Sequence, residues 1–317
     1  MSSLVISLDF EMFWGVADSR TIAGYRNNIE GEWKAIPKLL DLFQFYGIRV
    51  TWATVGMLMC RDYSQWREMR PSVLPGYEHT QCKTYLLDSV VCENPKLFFA
   101  RPLVKQILET PGQEVASHSY SHFYCGEAGA SPEQFAADLV CAHVIGAELG
   151  VEYRSFVFPR NQVQKVYLDE LNKMGYRVFR GNPDHWLYRD GHFVAGGRAG
   201  RGIRLTDAYL PWSGNHISKA SSVQGLVDLP ASLSLRPWSR QLAAFEPLRL
   251  LRLKQAMTAA AKADCVFHLW WHPHNFGVNI EENMAVLKSL LQHYVRLRDK
   301  YGMRSAQMGD FASGALS

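Results

Sequence analysis

The stretch "VISLDFEMFWG", residues 5–15, begins as a core strand and then sets two carboxylates, Asp9 and Glu11, where the apolar run should continue. Carboxylates are seldom placed in a core without a partner or a task. In an extended segment residues i and i+2 point the same way, so Asp9 and Glu11 can converge while Phe10 turns into the packing. The segment therefore reads as a buried strand whose end carries chemistry.

Outward from this strand the chain alternates. "LVISLDF" reads as a strand, "EWKAIPKLLDLFQFYG" as a helix stopped by Gly47, and "IRVTWATV" as a strand again. Residues 60–94, with Pro71, Pro75 and Gly76, read as an irregular excursion over one barrel mouth. "NPKLFFARPLVKQILE" is expected as a helix with Asn94 as cap and Pro95 in its first turn, and "QEVAS" as a short strand. "SPEQFAADLVCAHVIGAELG" has Ser131 as N-cap, Pro132 first, Gln134 closing a capping box and Gly150 beyond the end. Strand "SFVFP", helix "VQKVYLDELNKMG" and strand "YRVFRG" follow, then a Gly- and Arg-rich loop, "GGRAGRG" at 196–202. That loop reads as a surface turn, with phosphate recognition as the alternative. "GLVDLPASL" is expected as one strand, followed by a helix around 239–262, strand "CVFHLWW", helix "EENMAVLKSLLQHYVRLRDKYG" and a last strand near "RSAQM".

Such alternation means a parallel α/β fold. No Gly-rich phosphate fingerprint follows the first strand, which favours a (β/α) barrel over a nucleotide-binding doubly wound sheet. No linker or composition shift divides the chain, so residues 1–317 are expected to form one domain.

Composition narrows the function. The 317 residues are 47% hydrophobic and 20% charged, which excludes a disordered or collagen-like chain. Lys+Arg 34 against Asp+Glu 30 gives +4, with the basic residues dispersed, so nucleic acid is not expected as a partner. There is no apolar run of transmembrane length and no signal-peptide pattern, and a cytoplasmic protein is expected. The six cysteines form no C-x-x-C pair and read as reduced thiols; Cys125 lies near the site without a residue to activate it. The Arg-rich "LRLLRLKQAM" reads as a helix covering the barrel, with peripheral membrane contact as the alternative. No segment names an oligomer interface.

The residues that follow the expected strands are Asp9 and Glu11, His118 and His122, Arg160 and Asn161, Arg180 and Asn182, and His272 and His274. In a (β/α) barrel all of them lie on the carboxyl-end face, where such folds place their sites. His118 and His122, at i and i+4, share one face of a helical turn and can reach one metal ion. One carboxylate and two histidines leave room for water, a catalytic rather than a structural arrangement.

These residues resemble the motifs of the polysaccharide deacetylases, carbohydrate esterase family 4, also called the NodB-homology superfamily. "EVASHSYSH" looks like the family's H-[S/T]-x-x-H motif, and "SLDFEMFWG" like its first motif, which usually has two adjacent aspartates. "FPRNQ" stands at the third motif, "NPDHW" has the spacing of the fourth, and "LWWHPHNFG" resembles the fifth, with its catalytic histidine. The resemblance runs over residues 5–277 and implies a distorted (β/α) barrel that removes acetyl groups from sugars with one divalent metal, zinc first. It implies Asp9 as general base, Glu11, His118 and His122 as metal ligands, and His272 as general acid, with Asp9 and Glu11 able to exchange roles. Val157 stands where the family has its base-orienting arginine, a task left to Arg160 or Arg180; a backbone N–H near Arg160 is the expected oxyanion donor. Trp186, Arg180, Asn161 and His274 are expected to meet substrate, with Trp14, Trp270 and Trp271 as further candidates for stacking on a sugar. A nucleotide- or lipid-linked precursor of a surface polysaccharide is the expected substrate. A non-sugar amide or ureide hydrolase and a glycan-binding pseudoenzyme are the competing readings.

Overall fold

The computed structural model describes residues 1–188 and 197–313. Ten strands form one curled sheet: β1 Ser3–Phe10, β2 Val50–Thr54, β3 Gln113–Ser117, β4 Ser155–Val157, β5 Val178–Arg180, β6 Ser221–Val223, β7 Leu226–Asp228, β8 Leu233–Ser234, β9 Val266–Trp271 and β10 Arg304–Ala306. Their order is β6-β7-β5-β4-β3-β2-β1-β9-β8, with β10 also on β1, and every pairing is parallel except the β6–β7 hairpin. The fold is the expected distorted (β/α) barrel.

The distortion is local. The arms of the sheet are bridged by the irregular segment 229–232. Leu229 N–H donates to Phe179 and Gly181 N–H to Leu229, while Ser232 N–H donates to His268 on the opposite strand. Pro230 interrupts what the sequence reads as one strand, giving β7 and β8 instead.

Strand β1 is buried on both faces, as a central barrel strand must be. Leu4, Ile6, Leu8 and Phe10 belong to the large apolar cluster shared with the surrounding helices. Val5 belongs to a separate cluster with Ala53, Val157, Val178, Leu229 and Val266, joined by Met308 and Phe311 of the C-terminal turn. This second cluster is the floor of the barrel. Two-residue periodicity carries the same faces upward, from Val5 to Ser7 and Asp9, from Val266 to His268, and from Val178 to Arg180. The interior thus changes from apolar to polar toward the carboxyl mouth.

Four local expectations differ. The first helix runs Ile22–Tyr46, starting ten residues early; Thr21 caps it through Gly24 N–H, and low-propensity Gly24, Asn27 and Asn28 hide the start. Residues 95–109 form two helices, Pro95–Phe98 and Arg101–Glu109, because Pro102 cannot continue the first. Asn94 makes no side-chain cap; it donates to the Val90 carbonyl and accepts from Arg26. Residues 60–94 are packed rather than loose, with helices Tyr63–Glu68 and Asp88–Glu93 and a buried Trp66 against Trp14.

The Gly-rich loop is also corrected: Gly197–Asp207 is a helix, and Gly196 lies outside the described residues. Its end is anchored by Asp207, which accepts from Tyr188, Ser213 and Arg252, so tertiary bonds override glycine's poor helix propensity. No helix among the described residues is long and apolar enough to cross a membrane. In the helix Glu246–Ala263, Arg249 and Arg252 are buried in ion pairs with Glu246 and Asp207, while Leu248 and Leu251 face outward.

Candidate active site

The polar mouth is organised around Glu11. The strand ends at Phe10 and Met12, at φ 51°, turns the chain; Glu11 between them is only 2% exposed. Gly15 leaves the space for its carboxylate; a Cβ there would run into Glu11 Oε2.

Four imidazoles face this carboxylate. His118 Nε2 lies 2.9 Å and His122 Nε2 3.2 Å from Glu11 Oε1. His272 Nε2 lies 3.6 Å from Oε1, and His274 Nε2 3.8 Å from Oε2. The two histidines of "HSYSH" do not sit on a helical turn, as the i, i+4 spacing suggested. They sit in a loop that Ser119 and His122 take through positive φ, 60° and 58°. Buried Asp138 holds that loop, accepting from Tyr120 N–H at 2.6 Å, from Ser121 N–H and from the Ser121 hydroxyl. Burial raises the Asp138 carboxyl to about 6 in spite of these bonds.

Of the nine non-glycine residues with positive φ among the described residues, five (Met12, Ser119, His122, Arg160 and Asn161) flank the site. Backbone strain of this kind persists where surrounding structure over-determines it, as at functional sites.

Asp9 is held by Arg180, whose Nη1 and Nη2 donate to its two oxygens at 2.7 Å each. Burial pushes the Asp9 carboxyl up, but the Arg180 charge and hydrogen bonds, with His118 and His272 nearby, outweigh it and hold the group below its ordinary range. Burial likewise opposes ionisation of Glu11, and the imidazoles of His272, His122 and His118 around it hold it well below its ordinary value.

Behind Arg180 lies a chain that the sequence reading missed. Arg180 Nη1 donates to Ser7 Oγ at 2.9 Å, and Ser7 Oγ lies 2.8 Å from His268 Nε2. His268 Nδ1 faces the Leu229 carbonyl at 3.3 Å, so Nδ1 carries the hydrogen and Nε2 accepts from Ser7. Burial drives His268 down to about 3, and it stays neutral. Ser7 and His268 sit one two-residue step below Asp9 and Trp270, the signal that could have found them.

The other expected residues divide. Asn161 Oδ1 accepts from Arg180 Nη2 at 2.8 Å, and Arg180 is 1% exposed, so both brace Asp9 rather than open toward a ligand. Arg160 ion-pairs with Asp18 and lies over the Tyr124 ring, 4.7 Å from its centroid; the guanidinium on Asp9 is that of Arg180. The Asn161 N–H is used by the Phe158 carbonyl. Trp14 and Trp271 are core residues; Trp186 is 69% exposed, and partly exposed Trp270 lies between Arg180 and His272. His272, at 28% side-chain exposure, is the open member of the histidine set. Cys125 is buried and its thiol is pushed well up by that burial, leaving it inert.

The residues around Glu11 fit a divalent cation. His118 Nδ1 lies 2.7 Å from the Val157 carbonyl, which fixes its hydrogen there and leaves the Nε2 lone pair facing a carboxylate oxygen. Two lone pairs at that distance are satisfied only by a proton or a cation between them. Glu11, His118 and His122 offer donor atoms in one cluster, and so do Glu11, His272 and His274. Imidazole and carboxylate donors suit zinc.

The fold and this site define a (β/α) barrel with a carboxylate–imidazole centre at its carboxyl mouth. The sequence model of the family "Polysaccharide deacetylase" matches residues 30–179, a little under half of the chain, so this segment is similar to that family. It is similar to a putative polysaccharide deacetylase from Mycobacterium smegmatis, at 13% identity, over 99% of this chain and 90% of that one, with a TM-score of 0.61. A probable polysaccharide deacetylase from Pseudomonas aeruginosa gives 12% identity over 98% and 89%, TM-score 0.59. A branching enzyme from the archaeon Pyrococcus horikoshii gives 10% identity over 98% and 70%, TM-score 0.56. At these identities the likeness to solved structures is one of fold. No curated protein matches the chain by sequence. The family's activity is deacetylation of carbohydrate, a hydrolysis; the matched segment includes His118 and His122 but neither Asp9 and Glu11 nor His272.

Proposed function

We propose that residues 1–317 form one catalytic domain, a metal-dependent hydrolase that removes the acetyl group from an acetylated amino sugar. The observation that carries this is the Glu11 carboxylate with His118 and His122 Nε2 at 2.9 and 3.2 Å, the former with its lone pair turned inward. Glu11, His118 and His122 would hold the ion, zinc first. When bound, a divalent ion polarises a carbonyl and acidifies water.

The chain's own residues do the rest. Asp9, kept charged by Arg180, accepts a proton from water as general base. His272 Nε2, 3.8 Å from Asp9 Oδ2, delivers a proton to the departing nitrogen. Burial pushes its pKa down, and Glu11 and then Asp9 pull it part of the way back up. Arg180, with Asn161 and Ser7 on its other donors, keeps Asp9 aimed, a positioning duty. Trp186, on the segment after β5, is the proposed sugar platform.

Six free cysteines fit a reducing compartment, which supports a cytoplasmic location and hence a nucleotide- or lipid-linked precursor as substrate. The test is metal content of the purified protein with acetate release from a panel of acetylated amino sugars, wild type beside His118→Ala/His122→Ala. About one tightly held ion and acetate release, both lost in the double variant, support the proposal. A metal-free, inactive wild type after incubation with zinc overturns it in favour of sugar binding alone. Turnover of small amides that is indifferent to Trp186→Ala would favour the non-sugar hydrolase.

A further inference from the structure

Glu11 has two carboxylate oxygens, and the reading above uses one. His118 and His122 address Oε1, whereas His274 Nε2 addresses Oε2 at 3.8 Å. We propose that Glu11, His274 on its Oε2 and His272, which lies 3.6 Å from its Oε1, form a second, weaker divalent-cation site, and that filling it withdraws His272 from proton transfer. This rests on the assignment of Glu11 as a ligand and adds a regulatory cation to the same centre.

The evidence lies in His274. Its side chain is 4% exposed, and Nε2 has no hydrogen-bond partner. The orientation of the ring is imposed from behind. The Tyr25 hydroxyl hydrogen-bonds to His274 Nδ1 at 2.8 Å and also reaches Asn275 Oδ1 at 3.4 Å. With Nδ1 tied back, Nε2 is turned toward Glu11 Oε2. A histidine whose outer nitrogen is tied back while its inner one faces a carboxylate is the usual posture of a metal ligand. Packing keeps it there: the turn Pro273–Phe276 lies against the first helix where Gly31 and Gly277 meet backbone to backbone, and the His274 carbonyl accepts from Asn28.

Charge sets the ranking. Donors bound tetrahedrally to zinc stand about 3.4 Å apart. Separations of 2.9 and 3.2 Å on the His118 and His122 side and of 3.6 and 3.8 Å on the His272 and His274 side both lie within about 0.5 Å of that spacing, so distance admits a cation on either side. The two sites also share one carboxylate. Asp9, whose Oδ2 is 3.8 Å from His272, is already neutralised by Arg180 and adds little attraction for a second cation.

The test is titration of chelator-stripped full-length protein with zinc, with bound metal measured by equilibrium dialysis. Two ions per chain are expected, the second weaker by at least about tenfold. His274→Ala should retain the tight ion and lose the weak one. Tyr25→Phe, which keeps the ligand but frees its ring, should weaken the second ion by about 10- to 100-fold. A wild type that saturates at one ion, lost in His118→Ala/His122→Ala, overturns this inference and leaves the catalytic proposal standing. A wild type that takes up none removes both. Two ions, with the weaker one unaffected by both His274→Ala and Tyr25→Phe in folded protein, overturns the assignment as well.

Discussion

Arg180 grips Asp9 through both terminal nitrogens, at 2.7 Å each, and both residues are buried. Arg180→Ala leaves a buried carboxylate without its counter-charge. A loss of about 3–5 kcal/mol of stability is expected, measured by urea unfolding, together with loss of activity. Arg180→Lys retains the charge but not the fork and is expected to fold while losing about a hundredfold in turnover. Arg160→Ala, which leaves the Asp9 pair intact, should cost less turnover than either; a larger loss would return the orienting task to Arg160.

His268 makes stability depend on acid. Its folded pKa, about 3, lies below the ordinary 6.5, so the unfolded chain binds the proton first. The stability it contributes is complete above pH 6.5 and is lost as pH falls toward 3. His268→Gln should flatten the decline of the unfolding free energy across that window. An unchanged slope from pH 6.5 to 4 would show that other groups carry it.

Asp138 acts on the metal-competent histidines without touching the carboxylate. Asp138→Ala strands the Tyr120 and Ser121 donors, with an expected cost of about 1–3 kcal/mol, and loosens the loop so that zinc affinity falls by about 10- to 100-fold. Its own pKa, raised to about 6, contributes stability that is full below the ordinary 3.8 and fades as pH rises through 6. The cost of the substitution should therefore be larger at pH 4 than at pH 8.

Gly15→Ala is a one-carbon test of the space beside Glu11. The added Cβ displaces the carboxylate, so weaker zinc binding is expected along with about 1–3 kcal/mol of overpacking cost. Zinc affinity equal to the wild type's would mean that Glu11 has another position from which to bind.

The residues that the sequence made legible are those whose spacing obeys a strand or a capped helix. Asp9 and Glu11 stood out because charge broke an apolar run, and the helix Pro132–Ala147 because Ser131 and Gln134 close its capping box. The pairing of Arg180 with Asp9 was open because 171 residues separate them, and only the barrel closure decides between Arg160 and Arg180. His268 read as one more residue of an apolar strand, since its partner Ser7 lies at the other end of the chain. His118 and His122 were found for a spacing that the loop does not use; they converge through two left-handed residues and Asp138 instead. The break at Pro102 and the helix over 197–207 were missed because local propensity was weighed without the tertiary bonds that decide them.

The irregular closure at 229–232 has a kinetic meaning. A seam held by a few amides, those of Gly181, Leu229, Ala231 and Ser232, is where deuterium should enter the barrel earliest, ahead of the long β1–β9 ladder. Arg180 and His268 stand on the two lips of that seam. Each transient opening therefore slackens the grip on Asp9, the proposed base, before it disturbs the histidines, so on the proposed mechanism fluctuations of the closure modulate turnover while metal occupancy stays constant.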